Sequence, residues 1–260
     1  MAKAKKAVSK AAVKKAAAKS TPFKRAPARK APVNKTAASK AAPQAAQLSR
    51  QERKKLPTRE NLLIAAQELM LERSLEDISV NDITERADVG LGTFYNYFKT
   101  KKDVLDDLFE LALNFYHKEL DQITENLQDP AEILAASIIY TTQKASDTSQ
   151  FGWFIFDIGF PRDVFRQNIY QRAFVDFERA INQQRFSTQD VPLALIMLEG
   201  SVMSVAESIY RGVLPKKAVF QLAEMCLRQL GLDPKDAKAV ANKKYPKVKM
   251  ASFPLRLTEL

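Results

Sequence analysis

Apolar side chains recur at helical spacing through most of the chain between residues 57 and 232, and strand-type alternation is scarce. The first predicted helix follows Pro57, with Thr58 as its N-cap and Leu62, Ala66, Leu69 and Met70 on one face, and it ends near Arg73. In "SVNDITERA", Ser79 is followed three residues later by Asp82, the spacing of a reciprocal cap, and Val80, Ile83 and Ala87 line one side of a two-turn helix. Thr100 and Asp103 repeat that spacing at the head of "TKKDVLDDLFELALNFY", which predicts a long helix running toward Leu127. Between the two caps lies "VGLGTFYNYF", residues 89–98. On a helical wheel Phe94 and Phe98 face one side with Leu91 near the same stripe, while Gly92, Thr93, Asn96 and Tyr97 occupy the other. Three short helices therefore lead into a long fourth. The second and third, separated by a tight turn, form a helix-turn-helix candidate over about 79–98.

The second half is also helical but more apolar. "PLALIMLEGSVMSVAESIY", Pro192 to Tyr210, is apolar nearly all the way round and must be covered on more than one side. One cover is the protein's own core; a symmetry mate is the expected other, with Gly200 and Ser204 allowing close approach. "PKKAVFQLAEMCLRQLGL" predicts a helix started by Pro215 and ended by Gly231, with Val219, Leu222, Ala223, Cys226 and Leu230 on one face. Together these two segments, about 192–211 and 215–230, predict a four-helix interface in a homodimer. Residues 151–177 hold nine of the chain's 23 aromatics, interrupted by Gly152, Gly159 and Pro161, so a loop or broken helix leading into a helix over about 162–184 is expected. That density suggests an apolar pocket for a small hydrophobic effector, an acyl chain or an aromatic compound. Tyr116, Tyr140, Trp153, Phe156, Phe177 and Tyr210 are the candidate lining residues, core packing being the alternative for each.

Charge changes the picture at the N-terminal end. The net charge is +11, but residues 1–55 carry 17 Lys/Arg against one acid, Glu52, a balance of +16, and the remaining 205 residues carry 24 bases and 29 acids, a balance of −5. This Ala/Lys-rich arm, punctuated by Pro22, Pro27, Pro32 and Pro43, has too few large apolar residues to offset chain entropy and is expected to be disordered over 1–56. In composition it is similar to histone H1-like tails. A smaller basic, Pro-containing tail is expected over 233–260, with Pro234, Pro246 and Pro254 arguing against a long helix.

The segment from Thr58 to Phe115, most clearly "SVNDITERADVGLGTFYNYFKTKKDVL", resembles the DNA-binding domain of TetR-type transcriptional regulators. The resemblance implies an all-α fold: a helix-turn-helix domain over 57–116, joined by a long helix to a helical ligand-binding and dimerisation domain over 117–232. It further implies a homodimer, most often a repressor released from a palindromic operator in double-stranded DNA by a small molecule. By matching position, Leu91, Gly92, Thr93 and Asn96 would meet base edges, and Ser79, Tyr95, Tyr97 and Lys101 would contact phosphates. Two positions depart from the family pattern: Asp88 stands where glycine is common, and Gly90 where a serine cap is common.

The charge count adds a further expectation. Residues 58–101 hold five cations and eight acids, so the reading domain is itself acidic at −3. Its attraction to DNA is expected to come from the arm, which ends in Arg50, Arg53, Lys54 and Lys55 just before the first helix. A nucleoid-associated or RNA-binding protein driven by that arm is the rival reading.

Other classes find little support. The one histidine, His117, has no partner set for nucleophilic or metal chemistry, no phosphate-cradling glycine loop is present, and the single Cys226 excludes an internal disulfide framework. No enzyme activity, cofactor or metal is expected. Uninterrupted apolar runs such as Leu193–Leu198 are far shorter than the roughly 20 residues a bilayer requires, so no membrane partner is expected and the bacterial cytoplasm, at the nucleoid, is the expected location.

Overall fold

The computed structural model describes residues 56–147, 151–158, 173–188 and 190–260. The arm expected over 1–56 lies outside the described residues apart from Leu56, and so do Arg50, Arg53, Lys54 and Lys55. The described residues fold as helices joined by short turns. They comprise α1 (Thr58–Glu72), α2 (Val80–Ala87), α3 (Leu91–Tyr95), α4 (Lys101–Thr124), α5 (Pro130–Ala145), α6 (Phe151–Phe156), α7 (173–182), α8 (Val191–Tyr210), α9 (Ala218–Gln229) and α10 (Pro234–Ala241).

Local chemistry sets most of the boundaries. At α2 the Ser79 side chain accepts from the Asp82 N–H while the Asp82 carboxylate accepts from the Ser79 N–H, and Thr100 and Asp103 do the same at α4. Each pair satisfies amide donors that the first helical turn leaves open. Asp129, Asp190 and Asp233 cap α5, α8 and α10 by accepting from backbone amides, each with a proline in the first turn. The turn after α2 is closed by Asp88 at φ 56°, its N–H directed to the carbonyls of Glu85 and Thr84. Aspartate tolerates this left-handed geometry better than most residues, so the turn is made without the glycine common in the family.

Several boundaries differ from those read in the sequence. Pro57, not Thr58, is the N-cap of α1, and no side chain caps that helix. Pro215 precedes α9 by three residues, and Lys217 is its N-cap. Gly152 does not interrupt the chain but lies inside α6, where an added Cβ would run into the Tyr210 ring, so its small size lets α8 approach. The broken stretch expected around Gly159 and Pro161 lies outside the described residues.

Among the described residues two large apolar cores result, with a smaller cluster around Tyr116, Leu120 and Tyr140. One joins Leu62, Ile83, Phe94, Phe98 and Leu108 of the first four helices and continues into Phe154 of α6. The other fills the space between α5, α7, α8, α9 and α10 with Ile138, Phe177, Leu198, Met203, Leu227 and Ala237. Arg185 clamps the second by pairing with Asp129 at 2.7 Å and Asp236 at 2.5 Å, which ties α10 to the start of α5.

The basic, Pro-containing stretch 233–260 holds no long helix: it forms the eight-residue α10 and then an irregular run that returns to α1, burying Phe253 and Leu255 in the first core. This explains why α1 is buried from Glu60 to Met70 and not on one face alone.

Candidate nucleic-acid interface and effector cavity

The helix-turn-helix separates the side chains of residues 89–98 by face. Phe94 and Phe98 are buried with ring centroids 5.6 Å apart, which fixes α3 against the core. Leu91 and Tyr95 of α3 and Tyr97 of the turn that follows are exposed at 46%, 55% and 47%, a large apolar and phenolic surface. Tyr95 is steadied by an edge-on contact with Phe94 at 5.4 Å. Gly92 and Asn96 are exposed and Thr93 is half-buried. A Cβ at Gly92 would meet nothing within 4 Å, so a nucleic-acid backbone can approach closely there. The amide of Asn96, the hydroxyl of Thr93 and the phenols of Tyr95 and Tyr97 are groups that suit base edges and phosphates.

Ser79 and Lys101 are placed differently from the other expected contacts. The Ser79 hydroxyl donates to Asp82 at 2.6 Å, and hydrogen bonds from Ser79 and then Arg73 hold the Asp82 carboxyl well below the usual carboxylate range. A fixed anion beside Ser79 opposes a phosphate. Lys101 is half-buried, and its ammonium donates to the carbonyls of Leu75 at 2.9 Å and Ile78 at 2.7 Å. It ties the first turn of α4 to the entry of α2, leaving one N–H of three for any phosphate.

The remaining cations of the reading domain are also engaged. Arg86 pairs with Glu72 at 2.7 Å and Glu68 at 3.4 Å, Arg73 with Asp82 at 2.8 Å, and Arg59 with Asp107 at 2.5 Å. Among the described residues, four of the five cations of 58–101 are thus held within the protein, so the acidic balance read from the sequence understates how little positive charge is offered to DNA.

A cavity of about 120 Å³ lies between α4, α5, α7 and α8. Its walls are mostly apolar, including Leu120, Ile138, Leu198, Val202 and Met203, with Thr141, Ser137, His117, Asp176 and Glu199 as polar elements. The Tyr116 hydroxyl lies 2.8 Å from Thr141 Oγ1 on its edge. Of the six lining residues expected from the sequence, Tyr116 and Phe177 are in the wall. The other four lie elsewhere. Tyr140 stacks behind Tyr116 at 5.9 Å with its hydroxyl donated to Glu119, and burial together with that carboxylate pushes its phenol up. Trp153 meets Phe253 edge-on at 5.9 Å in the first core, and Phe156 packs against Tyr210, whose hydroxyl donates to Asp157 at 2.5 Å. Aromatic density thus marks core contacts as well as the cavity. The polar wall residues carry no such compositional signal, although Tyr116, His117, Leu120 and Thr124 share one face of α4 by spacing.

Further along, α8 buries Ala194, Leu195, Leu198, Val202 and Ala206 and leaves Leu193, Ile196, Met197, Gly200 and Ser204 exposed on the opposite stripe. Met225 of α9 continues that surface, 67% exposed. By length and composition α8 is apolar enough to cross a membrane, but one face is already committed to the second core. Cys226 is buried behind this surface, and burial pushes its thiol up to about 12.

Comparison with known proteins gives three concordant results. Residues 62–108 match the family model for bacterial regulatory proteins of the tetR family, and residues 129–243 match that for tetracyclin repressor-like C-terminal domains. The HTH-type transcriptional regulator SAB2452 of Staphylococcus aureus (strain bovine RF122 / ET3-1) is 26% identical over 122 residues, which span 47% of this chain and 65% of the relative. The crystal structure of RolR in complex with resorcinol is 29% identical with a TM-score of 0.61, covering 76% of this chain and 99% of that one. The fatty acid degradation regulator FadR from Bacillus halodurans shares the fold at 21% identity and a TM-score of 0.53, covering 69% of this chain and 99% of that one.

Proposed function

Given that the chain belongs to the TetR family, whose members are transcriptional regulators and not enzymes, we propose that it is a homodimeric, ligand-responsive repressor acting at the bacterial nucleoid. In this reading α3 enters the major groove, with Leu91, Gly92, Thr93 and Asn96 meeting base edges and Tyr95 and Tyr97 meeting phosphates. Lys101 serves chiefly to position α2 against α4 and Ser79 to cap α2. The exposed stripes of α8 and α9 pair with their copies, which sets the two reading helices at half-sites about 34 Å apart or at another spacing fixed by the interface. The basic arm supplies sequence-independent attraction.

The effector is a small single-ring aromatic carrying hydroxyls. The observation that carries this is the cavity itself: at about 120 Å³ it is near the roughly 150 Å³ that accommodates a benzene ring and too small for a long acyl chain. A mostly apolar wall with hydroxyl and carboxylate groups suits a phenol, and the RolR structure holds resorcinol. Because α4 forms one wall and also begins at the reading head, a ligand that favours one tilt of α4 shifts the population away from the DNA-binding arrangement.

The test is fluorescence anisotropy on a duplex selected by the full chain from a random pool, titrated with resorcinol. A tenfold or greater loss of DNA affinity is expected. Resorcinol binding by calorimetry without any loss contradicts the gating; absence of resorcinol binding contradicts the effector class and leaves DNA reading intact.

A further inference from the structure

The run that follows α10 joins the α4–α5 contact beside the cavity to α1 of the reading head, and nothing in a ligand-gated helix-turn-helix requires it. Val248 and Met250 pack against the cluster that Tyr116, Leu120 and Ile123 of α4 form with Ala136 and Tyr140 of α5. The next residue, Ala251, donates its N–H to Glu119 of α4, whose carboxylate also receives the Tyr140 hydroxyl and the Lys144 ammonium of α5. Phe253 then lies 5.0 to 5.9 Å from the rings of Phe151, Trp153 and Phe154 in α6. At the far end the Leu255 N–H donates to Gln67 Oε1 at 2.7 Å and its carbonyl accepts from Gln67 Nε2 at 3.0 Å. Thr258 donates its N–H and hydroxyl to Glu60 at 3.1 and 2.9 Å. Gln67 and Glu60 belong to α1 and are 0% and 1% exposed.

We propose that residues 251–258 are a strap that couples the effector cavity to the reading head, a second route beside α4. The proposal rests on the ligand-gated reading above and adds to it a specific mechanical element. Its near end is fixed at Glu119, adjacent in sequence to the cavity residues Tyr116, His117 and Leu120, and on α5 Tyr140 adjoins the cavity residue Thr141. Glu119 therefore registers any displacement of α4 against α5. A void of about 30 Å³ bordered by Leu113, Lys144 and Phe154 gives those helices room to shift. The far end is fixed on α1 by buried polar groups that are costly to leave unpaired. The run bends at Phe253–Pro254 and ends in a short 3-10 turn at Leu257–Glu259, and because Phe253 and Leu255 are packed in the core between its two anchors, movement at Glu119 either moves α1 or breaks a buried contact. α1 packs on α2 and carries the helix-turn-helix with it.

Coupling is reciprocal, so DNA bound at α3 must be felt at the Glu119 anchor. The experiment is peptide-resolved hydrogen exchange on the full chain, with and without a duplex selected from a random pool. In the parent, DNA is expected to change protection at 89–98, at 251–258 and at 140–145. Ala251→Pro removes the N–H that Glu119 accepts, and a chain ending at Ala251 removes the attachment to α1. In both, protection at 89–98 on DNA binding is expected to persist with affinity within about threefold of the parent, while the change at 140–145 is diminished to what α4 alone carries. If Ala251→Pro fails to fold, as judged by far-UV dichroism, the shortened chain carries the test. A change at 140–145 that is undiminished in the variants, or is absent from the parent, overturns the strap. No DNA-dependent protection at 89–98 in the parent overturns the DNA-reading assignment and the strap with it.

Discussion

Replacing Glu119 by Gln tests how the buried pair at the centre of the C-terminal region is held. The Glu119 and Lys144 side chains are 5% and 3% exposed, and Lys144 also sits 3.7 Å over the face of Phe151. Burial pushes the Lys144 ammonium below its ordinary value, and the Glu119 carboxylate opposes that shift. Glutamine keeps the shape and an acceptor for the Ala251 N–H but removes the charge. Stranding one partner of a buried pair costs about 3–5 kcal/mol. The loss has a ceiling, because Lys144 can release its proton: from an unfolded value near 10.4, neutralising it at pH 7 costs about 4.6 kcal/mol and at pH 9 about 1.9 kcal/mol. The sign follows from linkage. Loss of the carboxylate lowers the folded value of Lys144 further, so between the variant's folded value and the parent's the variant's native state has released a proton that the parent's retains, and the variant gains stability relative to the parent as pH rises through that window. Urea unfolding followed by dichroism, at one protein concentration and at pH 7 and 9, measures both quantities. The expected deficit is about 3–4 kcal/mol at pH 7 and under about 2 kcal/mol at pH 9. Combining it with Lys144→Met should recover stability to within about 1.5 kcal/mol of the parent. A pH 7 deficit below about 1 kcal/mol, the scale of an exposed pair, or one that grows with pH refutes the reasoning.

Three further outcomes are expected. Ile196→Glu, on the exposed stripe of α8, should convert the protein from twice its 29.3 kDa chain mass to a single chain by light scattering while its helical dichroism is retained. Deleting residues 1–49 should weaken binding to all duplexes and flatten the dependence of log affinity on log salt by about 0.9 for each phosphate no longer neutralised. Cys226 should react with a thiol reagent at pH 8 roughly a hundredfold or more slowly in the native protein than in urea, because burial both shields it and suppresses its thiolate.

What the sequence revealed follows the range of the forces involved. The caps at Ser79–Asp82 and Thr100–Asp103 were legible because each is closed within four residues. Helical period separates the buried Phe94 and Phe98 from the exposed Gly92, Asn96 and Tyr97, but it also puts Leu91 near the buried stripe and Thr93 on the open side, whereas Leu91, at the first position of a helix that ends at Tyr95, is exposed and Thr93 is half-buried. The strap was not legible. Gln67 and Leu255 are 188 residues apart, and what joins them is the backbone of one and an amide side chain of the other, which leaves no periodic or compositional trace. Three prolines in 233–260 argue against a long helix, and the helix that Pro234 starts spans eight residues, but nothing in the pattern shows that the following lysines stand outward while Val248 and Met250 face the protein. Lys101 illustrates the same limit: its charge pointed to phosphate, and only the tertiary arrangement shows two carbonyls already at its ammonium. In the cavity, residue type misled where spacing would have helped, since Trp153 and Tyr210 are core while Ser137 and Thr141 are wall.

The central claim is that α3 reads sequence, and the most direct test compares affinity for a palindromic duplex selected by the full chain with affinity for a scrambled duplex of the same composition, in the parent and in Asn96→Ala. A preference of about a thousandfold or more is expected for the parent at physiological salt. It should shrink by about tenfold or more in the variant, whose side chain is exposed and whose loss leaves the core intact. Equal affinity of the parent for the two duplexes would contradict the account and favour a protein held to nucleic acid by charge alone.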